Sequence, residues 1–275
     1  MAKPIIKSAG GKGQLLSDLT ARMPKEFERY HEPFGGGLAL FLHLWNEGRV
    51  PKGSSVGDAN PDLIQLYQTL QKDPRGIMHW LSEVYNKNEA DYYYAVRAQD
   101  PDTLEPAERA ARLIYLNKTC FNGLYRVNKQ GEFNVPFGKY KKPAFPTDEE
   151  IEAIAEALKS VTFYAGDYKA HCKKHVKKGS FVYFDPPYMP VSETANFTEF
   201  TQDGFDEFNQ LELCNTATAL AEKGALVMAS NADLPVIEKL YRDSGFTIHK
   251  VRARRAINSR GERRGPVGEL IMTSY

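Results

Sequence analysis

Residues 181–188 read Phe-Val-Tyr-Phe-Asp-Pro-Pro-Tyr. The unbroken apolar and aromatic run Phe181–Phe184 is typical of a strand that is buried on both faces of a sheet. It is followed at once by Asp185, Pro186, Pro187 and Tyr188, and the two prolines remove two backbone donors and stiffen the turn. The stretch predicts a central strand that ends in a rigid acidic corner.

Shorter strand-like stretches lie on both sides of this strand, separated by helical patterns. They are residues 30–34, 54–58, 163–167 and 225–229, and a C-terminal pair, 251–257 with 270–275, that is expected to form an antiparallel edge. Between the first two, Leu38, Phe41, Leu42 and Trp45 have the spacing of a helix face. Strands that alternate with helices favour an α/β fold with a mostly parallel sheet.

The middle of the chain does not follow this rhythm. Residues 61–146 carry long helical patterns and then a loop region rich in Gly, Asn and aromatic residues. We interpret this segment as an inserted, mostly helical subdomain. The remaining segments, 1–60 and 147–275, then form the domain that contains the sheet.

Composition excludes several classes of protein. The 275 residues carry a net charge of +1 and no run of 18 uncharged apolar residues, so neither a uniformly basic nucleic-acid coat nor a membrane span is expected. Three scattered cysteines and no apolar leader suggest a cytoplasmic protein without a disulfide framework. His171 and His175 are four residues apart, but they lie in a lysine-rich stretch that would repel a cation, so no metal is expected.

Two glycine-rich turns suggest a ligand that approaches the backbone closely. Phe34 precedes Gly35, Gly36 and Gly37, and Asp58 lies 21 positions after Gly37, the distance at which an acid on a second strand can bind ribose hydroxyls. The alternative is a tight turn with no ligand. The other turn, residues 9–12 (Ala-Gly-Gly-Lys), lacks the spacing of a phosphate-binding P-loop, which argues against an NTPase.

The acidic corner favours chemistry on an amino group. The Asp185 carboxylate and the Pro186 carbonyl are acceptors at the carboxyl end of a strand, and Tyr188 adds a flat ring beside them. Such a set suits the exocyclic amino group of a planar base, which it can position and polarise without a covalent enzyme intermediate. The alternative is a surface turn, since Asp-Pro pairs are common in turns.

The glycine turn and the acidic corner, in this order, resemble the AdoMet-dependent N6-adenine DNA methyltransferases. Further stretches resemble the Dam branch of that family (D12 class, α group): residues 7–12, 117–140, 194–197 and 268–270. The resemblance spans nearly the whole chain. It implies a Rossmann-like methyltransferase sheet with an inserted target-recognition subdomain, and S-adenosyl-L-methionine (AdoMet) as the methyl donor.

The resemblance also implies roles for individual residues. Catalysis is assigned to Asp185, Pro186 and Tyr188, and cofactor binding to Ser8, Lys12, Phe34, Gly35, Gly37, Asp58, Asp167 and Asp185. Position 8 is commonly aromatic in this branch, so Ser8 loses side-chain stacking and is expected to act through its backbone.

The segment 117–140 combines aromatic and basic residues, as suits a loop that enters DNA beside a disrupted base pair. The resemblance makes Arg126 the reader of a guanine and lets Phe121 and Asn122 fill the space of a flipped adenine. It assigns thymine methyl contacts to Leu124 and Pro136, the outer guanine to Lys7, and a further DNA contact to Tyr140. The alternative is that the apolar members belong to the core and that Arg126 is solvated.

These assignments match enzymes that modify GATC, so the expected activity is methylation of a flipped adenine in double-stranded GATC by a monomeric enzyme. The arginine-rich stretch 252–264 is expected to contact phosphates, or else to form a solvated basic edge strand. Three other functions remain open: an N6-adenine methyltransferase of another DNA sequence, one that acts on RNA, and a non-catalytic DNA-binding relative.

Overall fold

The computed structural model describes residues 1–8, 10–128, 130–189, 205–254 and 266–275. The family-like stretch 194–197, Lys129 and most of the arginine-rich stretch, from Arg255 to Arg264, lie outside the described residues. Nowhere in the described ranges does a helix have both the length and the apolar character needed to cross a membrane.

Seven strands form one mixed sheet in the order β3-β2-β1-β4-β5-β7-β6. They are β1 (Arg29–Glu32), β2 (Ser55–Asp58), β3 (Thr162–Ala165), β4 (Ser180–Phe184), β5 (Leu226–Ala232), β6 (Thr247–Arg254) and β7 (Pro266–Thr273). The first five strands follow the order 3-2-1-4-5 of doubly wound α/β folds. The predicted Rossmann-like α/β fold is confirmed.

The central position of β4 explains its apolar sequence. It pairs in parallel with β1 on one side and with β5 on the other, and Phe181 to Phe184 are at most 1% exposed. Phe184 is the partner of Ala229 in the register. Since parallel strands end at the same edge of a sheet, the next residues, Asp185 and Ser230, lie beside each other.

The C-terminal strands differ in one respect from the sequence prediction. β6 and β7 form the expected antiparallel pair, with Val251 opposite Glu269. However, β7 also pairs with β5, where Glu269 is opposite Ala232. Of the two strands only β6 is at the edge, and β7 is inside the sheet because its apolar residues Leu270, Ile271 and Met272 are fully buried.

Helices fill the connections between the strands. They are α1 (Leu16–Arg22), α2 (Ala39–Asn46), α3 (Pro61–Lys72), α4 (Pro74–Ser82), α5 (Ala90–Ala98), α6 (Pro106–Thr119), α7 (Asp148–Leu158), α8 (Tyr168–His175), α9 (Glu207–Glu222) and α10 (Pro235–Asp243). Side chains stabilise several first turns: Asp167 accepts from two backbone N–H groups of α8, and Thr147 and Glu150 form a capping box on α7. The predicted helical character of residues 61–146 is confirmed by α3 to α6.

The chain divides into two compact units. The helical unit comprises Met1–Gly11, Gly36–Arg49 and Asn60–Phe163, and the sheet unit comprises Lys12–Gly35, Val50–Ala59 and Tyr164–Tyr275. The helical unit therefore contains three segments that the sequence grouped with the catalytic domain: residues 1–11, 36–49 and 147–163. The assignment of residues 61–146 to DNA recognition and of the rest to catalysis stays a prediction.

Candidate active site

Lys12 and Ser230 both contact the same carboxylate oxygen of Asp185, Oδ1. Lys12 Nζ lies 2.9 Å from Oδ1, and Ser230 Oγ donates to the same oxygen over 3.0 Å. Within the described ranges no group donates to Oδ2. About a fifth of the Asp185 side chain is exposed, at 21%. The corner therefore presents one carboxylate oxygen as an open acceptor.

Lys12 contacts both ends of the acidic corner, Asp185 and Tyr188. It begins a 3-10 helix, Lys12–Gln14, and is 6% exposed. Its Nζ lies 4.4 Å from the centroid of the Tyr188 ring, a distance typical of a cation–π contact. Burial is the largest single effect and lowers the pKa of Lys12, but the charges of Asp185, Tyr183 and Glu269 and the hydrogen bond to Asp185 together outweigh it, and the net pKa is raised. Lys12 thus carries a positive charge and does not serve as a general base.

Two opposing effects act on Asp185. Burial raises the pKa of its carboxyl group above the ordinary value, while the charge of Lys12 and the hydrogen bonds from Lys12 and Ser230 lower it. Loss of either partner would therefore favour the protonated carboxyl.

The backbone of the corner is held by a second set of contacts. Gln210 Nε2, on α9, donates to the Pro187 carbonyl over 3.1 Å, and Asn231 Nδ2 donates to Gln210 Oε1 over 2.8 Å. In the described part of the chain the Pro186 carbonyl receives no hydrogen bond. The Pro187 carbonyl thus has a hydrogen-bond donor, whereas the Pro186 carbonyl has none among the described residues.

Tyr188 is half-buried and fixed at its hydroxyl, which donates to Glu269 Oε2 over 2.7 Å. Burial, then the charges of Asp185 and Glu269, raise the pKa of Tyr188 well above its usual range. The Tyr188 side chain is therefore uncharged. Its orientation is fixed by the hydrogen bond to Glu269 and by the contact of Lys12 with the ring. The predicted catalytic residues Asp185, Pro186 and Tyr188 form one rigid corner, together with Lys12.

Four further residues with a predicted cofactor role lie in the sheet unit. Gly35 N donates to the Gly57 carbonyl over 2.7 Å, so the start of the glycine turn lies against the end of β2. The Phe34 ring packs 5.1 Å from Tyr168, and Phe34 belongs to the edge of the apolar core. Asp58 ends β2 and is half-buried, and Asp167 is exposed at the start of α8.

The other two predicted cofactor residues lie in the helical unit. The Ser8 carbonyl accepts from Gly11 N over 3.1 Å. A Cβ on Gly36 would lie 3.3 Å from Ser8 Oγ, and one on Gly37 would lie 3.4 Å from Ser8 Cβ. Gly36 also has a φ of +47°, which other residues rarely adopt. Ser8 therefore faces the glycine turn at a distance that requires small residues.

Asn117 on α6 anchors Lys7, one of the predicted DNA-reading residues of the helical unit. Asn117 Oδ1 accepts from Lys7 N over 2.7 Å, and its Nδ2 donates to the carbonyls of Lys7 and Gly123. A Cβ on Gly123 would lie 2.3 Å from the Lys7 side chain. Lys7 Nζ lies 4.5 Å from the centroid of the Tyr140 ring. Lys7, Gly123 and Tyr140 are thus brought together.

The segment after α6 forms a narrow loop with exposed aromatic and apolar residues. Phe121 N donates to the Pro136 carbonyl over 2.8 Å. Phe121 is 46% exposed, Pro136 is exposed, and Asn122 adopts a φ of +57°. Asn tolerates this left-handed backbone better than most residues, and the turn leaves the Phe121 ring exposed to solvent.

Leu124 and Arg126 follow in the chain, and both are half-buried. Leu124 is half-buried against the core of the helical unit, which agrees in part with the alternative that it belongs to the core. Arg126 Nε donates to Asn134 Oδ1 over 2.6 Å, and its Nη2 donates to the Asn134 carbonyl over 3.3 Å. The guanidinium of Arg126 is therefore held in a fixed orientation.

Four residues that support the corner were not predicted from the sequence: Tyr183, Gln210, Ser230 and Asn231. All four are at most 1% exposed. The sequence did contain one signal, because Ser230 and Asn231 directly follow the predicted strand 225–229. Two polar residues at the carboxyl end of an apolar strand suggest a site at that edge.

No set of three or more His, Cys, Asp or Glu side chains in the described ranges is arranged to hold a metal ion. The site consists instead of hydrogen-bond acceptors, a charged lysine and a flat ring. Such an arrangement at the carboxyl end of a Rossmann-like sheet suits the positioning of an amino group on a planar base.

The chain belongs to the family described as D12 class N6 adenine-specific DNA methyltransferase, whose model matches residues 8–257. The enzyme is therefore a site-specific, adenine-specific DNA methyltransferase. A relative named type II methyltransferase M1.LlaDCHI, from Lactococcus lactis subsp. cremoris, is 39% identical over 99% of this chain and 95% of its own length. The DNA adenine methylase of Escherichia coli K12 is 36% identical over 98% of this chain and 94% of its own length.

Among solved structures, a putative RNA methyltransferase from Pyrococcus horikoshii aligns with a TM-score of 0.41 and 10% identity, over 98% of this chain and 83% of that chain.

Proposed function

We propose that the enzyme transfers a methyl group from AdoMet to N6 of an adenine that is flipped out of double-stranded GATC. The observation that carries the proposal is the pair of open acceptors, Asp185 Oδ2 and the Pro186 carbonyl, beside the fixed ring of Tyr188. The two N–H groups of N6 need two acceptors, and a flipped base needs a surface on which to stack.

The chemistry follows from the electronic structure of adenine. The N6 lone pair is conjugated into the ring, so N6 is a poor nucleophile. Hydrogen bonds to Asp185 and to the Pro186 carbonyl favour the pyramidal nitrogen, whose lone pair is available, and disperse the positive charge that develops there. AdoMet, when bound, supplies a methyl group on a sulfonium leaving group. Tyr188 keeps the ring of the base in line for transfer.

The residues of the chain suit AdoMet. The carboxylates of Asp58 and Asp167 are acceptors for ribose hydroxyls and for the adenine amino group, respectively. The glycine turn admits a close ligand because Gly36 has a left-handed backbone and Gly36 and Gly37 face Ser8. We assign Phe34, Gly35 and Gly37 to the region around the methionine part, and Lys12 to a position between cofactor and target base.

The proposed target rests on the loop of the helical unit. Arg126, oriented by Asn134, would donate to O6 and N7 of a guanine. Leu124 and Pro136 would contact thymine methyl groups, and Lys7 and Tyr140 would contact the outer base pair. The exposed ring of Phe121 and the Asn122 side chain would fill the space that the adenine leaves. We propose that one copy of the chain acts on duplex DNA.

One observation supports a target sequence other than GATC: the relatives include proteins named only as type II methyltransferases. Sequencing of N6-methyladenine in DNA from a methylation-free host that expresses the chain decides between them. We expect methylation at GATC. Methylation at a different motif would replace GATC, and methylation of RNA instead of DNA would reject the proposed substrate.

The proposed catalytic role is tested by Asp185→Ala. We expect this variant to lose methyl transfer while it still binds duplex DNA. The matched control is Asp243→Ala, which removes an exposed acid of α10 in the same unit and is expected to retain activity. Near-normal turnover of Asp185→Ala would reject the assignment of the corner. If calorimetry detects no binding of AdoMet to the parent protein, a non-catalytic DNA-binding relative would be favoured.

A further inference from the structure

We propose that Ser230 is a positioning residue for methyl transfer, whose hydroxyl anchors Oδ1 of Asp185 so that Oδ2 is the oxygen presented to the target amino group. The inference rests on the proposed role of Asp185 and adds a residue to it. Ser230 lies on β5, away from the Asp-Pro-Pro-Tyr motif in the sequence.

The register of the sheet brings the two residues together. Phe184 of β4 is the partner of Ala229 of β5, and the residues that follow, Asp185 and Ser230, are joined by a 3.0 Å hydrogen bond. Ser230 is fully buried on a central strand, whose backbone is among the most rigid parts of a fold. Its hydroxyl is therefore a fixed point for the carboxylate.

The proton count fixes the direction of the hydrogen bonds. A serine hydroxyl carries one proton, and Ser230 donates it to Asp185. The 2.9 Å contact between Tyr183 and Ser230 must then be donated by the Tyr183 hydroxyl. Tyr183 is 1% exposed and holds the Ser230 hydroxyl in the orientation in which it donates to Asp185.

Lys12 and Ser230 act on the same oxygen in different ways. A carboxylate can exchange its two oxygens by rotation, and here such a rotation must break both contacts on Oδ1 at once. Lys12 supplies charge at the end of a flexible stem, whereas Ser230 supplies a short link to a rigid strand. We therefore assign the orientation of the carboxylate to Ser230.

The test measures single-turnover methylation by Ser230→Ala. We expect the rate to fall by about 10- to 100-fold, since small misplacements of a reacting group have effects of that size. The KM values for DNA and AdoMet should stay within about 3-fold, because Ser230 is buried and contacts Asp185 rather than a ligand. The matched control is Ser180→Ala, which removes a fully buried hydroxyl of β4 that bonds to His31 and to Lys177 N.

The pH profile separates positioning from general loss of stability. The titratable groups that interact with Asp185 are Lys12 before α1, Tyr30 on β1, Tyr183 on β4 and Tyr188 in the corner. Two acids bond to these tyrosines: Glu32 to Tyr30 and Glu269 to Tyr188. The hydrogen bond from Ser230 lowers the pKa of Asp185, against the effect of burial. Its removal should shift the acid limb of the rate profile to higher pH, and Ser180→Ala should leave that limb unchanged.

Tyr183→Phe provides an independent variant. We expect a smaller loss of rate, and we expect the double variant Tyr183→Phe/Ser230→Ala to be no slower than Ser230→Ala, because Tyr183 acts through Ser230. If Ser230→Ala does not fold, the rate of Tyr183→Phe decides: an unchanged rate overturns the inference. A normal rate and acid limb for folded Ser230→Ala also overturn it. Activity in Asp185→Ala would instead overturn the proposed function itself.

Discussion

The side-chain amide of Gln210 donates to the Pro187 carbonyl over 3.1 Å, from within α9, where Gln210 is fully buried. Gln210 is in turn held by Asn231, which directly follows Ser230 on β5. Two consecutive residues of one strand thus support two points of the acidic corner. Ser230 holds the carboxylate of Asp185, and Asn231 acts through Gln210 on the backbone. Because Pro187 is fixed, the preceding Pro186 carbonyl has a defined direction.

Gln210→Glu should impair both folding and catalysis. Glutamate can still accept from Asn231, but its second oxygen cannot donate to Pro187 and would face a carbonyl oxygen. We expect a loss of about 1–3 kcal/mol in the free energy of unfolding, as for a buried polar group left without its partner. We also expect single-turnover methylation to slow by about 10-fold through displacement of the corner. Urea unfolding and rapid-quench kinetics measure the two effects.

The matched control is Gln71→Glu. Gln71 Nε2 donates to the Val161 carbonyl over 3.0 Å, so this substitution breaks a similar contact within the helical unit. We expect it to reduce stability but to leave the rate of methyl transfer unchanged at a temperature where the variant is folded. If Gln210→Glu behaves in the same way, its contact with Pro187 supports the fold and not the reaction.

Arg126→Ala should relax the choice of one base pair in the target. The loss of a bidentate contact to guanine corresponds to about 1–3 kcal/mol of discrimination. The kcat/KM values for GATC and for every single-base variant of it give the discrimination at each position. We expect the effect at one guanine only.

Arg242→Ala is the control for loss of positive charge, since Arg242 is an exposed residue of α10 paired with Glu238. It should preserve the preference at all four positions. An unchanged preference in Arg126→Ala would show that Arg126 does not read a base.

The sequence predicted the parts of this protein that depend on local patterns. The apolar run Phe181–Phe184 predicted the central strand, because a strand covered on both faces needs side chains of this kind. Asp185 and Tyr188 were predicted because the corner is contiguous in the chain. The helical nature of residues 61–146 followed from their periodicity.

The parts that depend on distant contacts could not be predicted in the same way. Gln210 lies in the middle of a helix, and only the packing of α9 against β5 brings it to Pro187. The sequence pattern places Asn117 at the start of the DNA-reading segment, yet its side chain bonds to Lys7, which is 110 positions away. The inner position of β7 likewise depends on which strand pairs with β5, and the pattern of β7 alone does not determine this.

Stability should decrease as the pH falls from about 6.5 towards 4, because two histidines are buried without charge. Burial and the nearby His175 lower the pKa of His31 to about 4 and that of His171 to about 3. Below the ordinary histidine pKa of about 6.5, the unfolded chain therefore binds more protons than the folded chain. The contribution of the two neutral histidines to the free energy of unfolding is fully present above that pH and is lost as the pH falls. We expect a loss of about 2 kcal/mol per histidine between pH 6.5 and 5. Urea unfolding at several pH values measures it.

His31→Gln should reduce the slope of stability against pH in this range, although it also disturbs the contacts of His31 with Ser55 and Ser180. The slope, and not the absolute stability, is therefore the quantity to compare. His79→Gln, at an exposed position of α4, should leave the slope as in the parent. Equal slopes in all three proteins would contradict the assignment to buried histidines.

Lys12→Met separates two roles that the sequence and the geometry give to one residue. The family resemblance assigns Lys12 to the cofactor, whereas its Nζ lies 2.9 Å from Asp185 Oδ1 and over the Tyr188 ring. The charge of Lys12 lowers the pKa of Asp185, which burial raises. Without it the carboxyl should stay protonated to higher pH and lose an acceptor, so the acid limb of the rate profile should move upwards.

The KM for AdoMet gives the second measurement on Lys12→Met. A raised KM together with a shifted acid limb would mean that Lys12 acts on both the cofactor and the corner. A raised KM with an unchanged limb would restrict Lys12 to the cofactor and contradict its role at Asp185. Since Lys12 is 6% exposed and Met fills a similar volume, a large loss of stability is not expected, and the thermal midpoint checks this.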